Sequence, residues 1–150
     1  MYFKSNHLRS LAPFLALSIA MIGCQQTTSP LSGSWKPRKY VLASGESKPV
    51  DGHIFFSEDQ WSVVFFILDE NGEPLNASAE GGTYELIGDN LTFSHYYNLS
   101  DVDKGVSSGL NKIIRTEASE VPRETCTIEI EDDLLAIYFP SGNAMIFSRS

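Results

Sequence analysis

From Gly52 to Leu68 the chain reads GHIFFSEDQWSVVFFIL, with apolar residues at alternate positions on both sides of a polar centre. A period of two marks a β-strand, whose successive side chains point to opposite faces. The polar pair Glu58-Asp59 predicts a two-residue turn, which sets Phe56 opposite Trp61 and Ile54 opposite Val63. Ile54, Phe56, Trp61, Val63, Phe65 and Ile67 then share one face. An apolar face of that size has to be buried.

The same alternation recurs along the chain. A strand is predicted over Ser34–Leu42, before this hairpin. Asp69–Pro74 has the composition of a turn, and a soft loop is expected from there to Gly82. With Asp89-Asn90 as a second two-residue loop, Leu86 pairs with Phe93 and Tyr84 with His95. Tyr84, Leu86, Phe93, His95 and Tyr97 then fall on the inner face, with Thr83, Glu85, Thr92, Ser94 and Tyr96 outside. After a polar loop over Ser100–Gly109, a strand is predicted over Leu110–Glu117. A third hairpin turns at Asp132-Asp133 and pairs Cys126 with Phe139, Ile128 with Ile137 and Ile130 with Leu135. Ser141-Gly142 leads into a last strand, Asn143–Arg149.

Eight or nine short strands and no amphipathic helix define an all-β chain. Hairpin-linked neighbours favour a single antiparallel up-and-down β-barrel, and about eight strands are enough to close one. An open sandwich is the alternative. The inward residues Phe56, Trp61, Phe65, Tyr84, Phe93, His95 and Tyr97 are the candidates to line a pocket.

The N-terminus is patterned differently. Lys4, His7 and Arg9 precede the apolar run Leu11–Ile22, which is too short for a membrane-spanning helix of about 20 residues but suits a secretion signal. Its end, Met21-Ile22-Gly23-Cys24, resembles the bacterial lipobox, whose cysteine is acylated. That resemblance divides the chain into a lipoprotein signal peptide (residues 1–23), a lipidated tether (24–30) and a barrel domain (31–150). The alternative is an ordinary signal peptide with an incidental cysteine. The lipobox resemblance also implies a bacterial cell-envelope location. Gln25, which is not Asp, follows the cysteine as in outer-membrane lipoproteins, so the implied membrane partner is reached through the acyl chains on Cys24.

Removing Lys4 and Arg9 from the 11 Lys/Arg leaves nine against 19 Asp/Glu, a net charge of about −10. Such a surface argues against nucleic acid as a partner, because phosphate contacts need clustered Lys and Arg. With Cys24 acylated, Cys126 is the remaining thiol, so the domain rests on its apolar core and has no internal disulfide.

Over residues 31–149 the chain resembles the lipocalin-like families of the calycin group. Gly33-Ser34-Trp35 is similar to their opening G-x-W, Glu80–Glu85 with Leu91–His95 to their G-x-Y strand and its partner, and Phe147-Ser148-Arg149 to their closing aromatic-x-Arg. The resemblance implies that Arg149 packs on Trp35 and seals one end of the barrel. A solvated Arg149 beside the terminus is the alternative.

Little in the sequence points to catalysis. No catalytic constellation can be named, and His53, His95 and Cys126 lack metal-ligand spacing, so neither an enzyme, a metal nor a cofactor is expected. A Cys126–His95 dyad is conceivable, but a cysteine among isoleucines is ordinarily a small hydrophobe. Asp101-x-Asp103-x-Gly105 begins like a calcium loop, yet Lys112 stands where the bidentate Glu belongs. His95 is either a core histidine bonded to Tyr84 or Tyr97, or a polar handle for a ligand's carboxylate or hydroxyl. The expected function is a lipid-anchored barrel that binds a small hydrophobic or amphipathic molecule without turnover. The alternative is a filled barrel that binds another protein. Oligomeric state is open.

Overall fold

The structure, a computed structural model, describes residues 29–100, 112–115 and 120–150. The expected signal, Cys24, most of the expected tether and the Asp101–Gly105 segment lie outside the described residues. Ten strands follow in chain order: β1 (Gly33–Val41), β2 (Ser47–Lys48), β3 (Val50–Ser57), β4 (Gln60–Leu68), β5 (Pro74–Ile87), β6 (Asn90–Ser100), β7 (Lys112–Arg115), β8 (Arg123–Glu131), β9 (Leu134–Tyr138) and β10 (Ala144–Arg149). Pairing runs β1-β3-β4-β5-β6-β8-β9-β10, and β10 returns to β1 from Trp35↔Arg149 to Val41↔Ala144. Eight antiparallel strands therefore close a barrel, which removes the open edges of a sandwich. β2 is a short rung on β1, and β7 pairs with the far part of β6.

The hairpins show why the alternation leads here. Phe56↔Trp61 and Ile54↔Val63 are partners across the β3–β4 turn, where Glu58 adopts φ 54°. Ile128↔Ile137 and Ile130↔Leu135 pair across the Asp132-Asp133 turn. The middle hairpin differs from its sequence-based register. Its loop is Gly88-Asp89, Ile87 faces Asn90, and Tyr84 pairs with Phe93 while Leu86 pairs with Leu91. Gly88 takes φ 59° at the turn, a conformation glycine adopts without the strain a side chain would bring. The shift is even, so inner and outer faces are preserved.

Two further differences shape the interior. Residues 74–82 are not a soft loop: β5 starts at Pro74 and pairs with β4 through Gln60↔Thr83. A bulge then falls where Gly82 faces His95 and Gly81 faces Tyr97, so β6 carries one residue more than β5. At Gly82 any Cβ would collide with the Ser94 carbonyl oxygen, so the bulge needs glycine there.

One end of the barrel is filled. Leu31, Trp35, Phe56, Leu91, Leu135 and Phe147 are each 2% exposed or less. Phe56 meets Tyr84 edge-on at 5.0 Å and stacks with Phe93 at 6.3 Å. The chain entering β1 lies across this end. The Trp35 indole donates to the Leu31 carbonyl (2.7 Å), and the Arg149 guanidinium sits 4.1 Å from the Trp35 ring centroid. Arg149 also donates from Nη1 to the Ser32 carbonyl and from Nη2 to the Pro30 carbonyl, each at 3.0 Å. A planar fork suits this double contact.

Candidate functional site

Toward the opposite end the inward side chains change character. Ile54, Trp61, Val63, Phe93, Ile137 and Phe147 form an apolar floor, with Tyr40, Phe65, Phe139 and Met145 above it. Four polar residues, Glu80 of β5, His95 of β6, Glu124 of β8 and Ser141 in the turn before β10, join this wall. Together they enclose a cavity of about 230 Å³. An eight-stranded barrel can be filled by its own side chains or can hold one small ligand. This one does the first at one end and leaves room at the other.

Four of the sequence-based pocket residues, Trp61, Phe65, Phe93 and His95, line the cavity. The other three do not. Phe56 and Tyr84 are 1% and 8% exposed and belong to the packed end, one layer below. Tyr97 is 41% exposed on the outer face, because the bulge at Tyr96 reverses the alternation beyond His95. His53 is exposed on the outer face of β3 and so lies apart from His95 and Cys126. Among the described residues no cluster of His, Cys, Asp and Glu could hold a metal ion.

The polar group is built around His95. Its Nδ1 lies 2.9 Å from Glu80 Oε2, and Ser78 Oγ donates to Glu80 Oε1 at 2.8 Å. On the other side its Nε2 lies 4.0 Å from Glu124 Oε2. The imidazole also meets the Trp61 ring edge-on at 5.1 Å. His95 is therefore bonded neither to Tyr84 nor to Tyr97, contrary to one of its two sequence-based readings. Tyr84 lies in the layer below, and its hydroxyl is buried without a hydrogen-bond partner. Burial opposes ionisation of Glu80, but the hydrogen bonds from His95 and Ser78 and the imidazole's charge outweigh it. Its carboxyl is held below the ordinary value of 4.5.

Cys126 is 1% exposed beneath this group, and burial first, then the charge of Glu124, pushes its thiol up to about 12. A thiol so far from ionisation is no nucleophile. Glu80 escaped the sequence analysis because a loop was expected there. Glu124 was within reach of it, since it stands two residues before the inward Cys126 and so shares its face.

The architecture is that of the lipocalin-like barrels. A crystal structure of a lipocalin-like protein from Bacteroides uniformis superposes with a TM-score of 0.50 at 22% identity, covering 80% of this chain and 98% of that one. An uncharacterized protein from Bacteroides eggerthii gives a TM-score of 0.49 at 17% identity, with 80% and 99% covered. No protein-family model matches the chain. Among curated proteins, "Putative heat stress transcription factor B-4a" from Oryza sativa subsp. japonica is 28% identical over 145 residues. That alignment takes in 93% of this chain, which spans only 37% of the rice protein's length.

Proposed function

We propose that this protein binds a small amphipathic molecule in the open end of its barrel, without catalysis, while anchored to the bacterial envelope through acylated Cys24. The cavity carries the proposal: an apolar floor for a hydrocarbon tail beneath a polar group for a head. Each enclosed methylene contributes about 0.8 kcal/mol. A cavity of about 230 Å³ is the space of roughly eight waters at ~30 Å³ each. It therefore takes a short chain, and association costs of several kcal/mol leave only weak to micromolar binding. The lipobox-like Met21–Cys24 and the absence of Asp at position 25 support an outer-membrane anchor.

Saturable change in Trp61 fluorescence on adding short-chain amphiphiles tests the binding. A Trp35→Phe variant, lacking the indole at the packed end, should respond like the parent. A flat titration with every head group would refute ligand binding. Membrane fractionation of Cys24→Ser tests the anchor, and unchanged fractionation would refute it.

A second reading has its own observation. Phe55, Val64, Tyr96 and Tyr97 are 45%, 38%, 41% and 41% exposed on the outer wall of β3–β6, where a groove of about 380 Å³ runs. Aromatic residues gathered on a surface are the composition of a protein-binding patch. A flat ligand titration would favour this reading. The transcription-factor likeness lends no support to DNA binding, because a formal charge of −8 repels phosphate.

A further inference from the structure

The polar trio in the cavity is acidic on balance. Two carboxylates, Glu80 and Glu124, flank one imidazole, so the trio carries net negative charge whether or not His95 is protonated. Among the described residues no Lys or Arg lines the cavity. Glu80 is already engaged on both oxygens, by Ser78 and His95. Glu124 is not: its Oε2 stands 4.0 Å from His95 Nε2, beyond hydrogen-bond length, and its side chain is 38% exposed. It is the carboxylate available to an incoming donor.

We propose that the cavity selects an amphiphile with a cationic, hydrogen-bond-donating head, a short-chain primary amine, over a carboxylate of the same length. This rests on the reading that the cavity binds a ligand. The ammonium would settle against Glu124 with its tail on Trp61 and Phe93. A carboxylate head in that place would add a third negative group. His95 Nδ1 is taken by Glu80, and the donors left to such a head, a protonated His95 Nε2 and the unpartnered Trp61 indole N–H, would have to outweigh two carboxylates. The sequence-based role of His95 as a handle for a ligand carboxylate is thereby reversed. Its imidazole holds Glu80 and spaces the two acids. At 4 Å a charge pair changes affinity about fivefold even at the dielectric of water, and more in a partly enclosed site. Attraction of the amine and repulsion of the acid act together on the ratio between them.

The test is an NMR titration of the protein at pH 7 with octylamine, octanol and octanoate, followed at the Trp61 indole and the His95 imidazole. Octylamine should bind more tightly than octanoate by about tenfold or more, with octanol between them. Octanol should displace octylamine. Amine held merely by the acidic outer surface would not be displaced, and that result would overturn the proposal. Glu124→Gln should cut the amine-to-acid ratio by at least about fivefold while changing octanol affinity less than about twofold. Octanoate binding as tightly as octylamine, or a ratio unmoved by Glu124→Gln, would overturn the head-group assignment while leaving the cavity a ligand site. No saturable binding by any of the three would instead refute the ligand-binding function itself.

Discussion

Removing the Arg149 side chain should unlatch the packed end of the barrel. Its guanidinium makes two hydrogen bonds of 3.0 Å, to the Ser32 and Pro30 carbonyls, and lies 4.1 Å from the Trp35 ring centroid. Hydrogen bonds from a charged donor contribute about 1.5–3 kcal/mol each when sheltered. These are exposed to solvent, so about 1 kcal/mol each is the appropriate figure. An exposed cation–π contact adds about 0.5–1 kcal/mol. The Asp133 carboxylate at 3.7 Å is 81% exposed and adds little. Arg149→Met, which keeps an apolar stem over the indole, should therefore lose about 2–3 kcal/mol. For a domain of this size that is a fall in Tm of roughly 10 °C. Arg149→Lys keeps the charge without the fork and should lose about half as much. Urea denaturation at pH 7 with an unchanged slope reads the free energy. Red-shifted Trp35 emission in the folded state would report that the 30–32 segment has lifted. A loss below about 0.5 kcal/mol for Arg149→Met would mean that the guanidinium is merely solvated there.

Cys126 should label slowly with thiol reagents in the folded protein at pH 7, because its thiol is pushed up to about 12 and buried. Labelling as fast as that of the urea-unfolded chain would contradict the β8 register. Glu80→Gln should lower Tm at neutral pH. Glu80 is held below its unfolded value of 4.5, so its contribution is complete above that pH and fades as pH falls through the lower folded value. Thermal melts from pH 7 down to pH 2.5 should show the two proteins converging in acid. A gap that widens in acid would refute the hydrogen-bonded role of the Glu80 carboxylate beside His95.

The barrel was legible because its signal is redundant. Each of three hairpins repeats the alternation, and an even slip such as that in the β5–β6 loop leaves every residue on its proper face. What escaped depends on single residues that break the alternation. Gly81 and Gly82 resemble loop residues, and Pro74, Asn76, Ala77 and Ser78 have weak strand preferences. Pairing with β4 along its length, and with β6 from Ser78 onward, makes a strand of them nonetheless. That hid Glu80, and with it the partner of His95. The β6 bulge, set by the close approach of Ser94 to Gly82, sent Tyr97 outward. Depth along the barrel was also invisible, since alternation tells inside from outside but not floor from plug. Phe56 and Tyr84 thus looked the same in sequence as Trp61 and Phe93.

The strands around the ring are of unequal length, with 14 residues in β5 and 11 in β6 but only 5 in β9. At ~3.3 Å per residue the rim resembles a jug with a raised lip. On the proposed ligand-binding function, a molecule that touches the lip and then slides down would meet it only in passing. Substitutions there should quicken or slow arrival and departure by the same factor. How full the jug stands at equilibrium would not change.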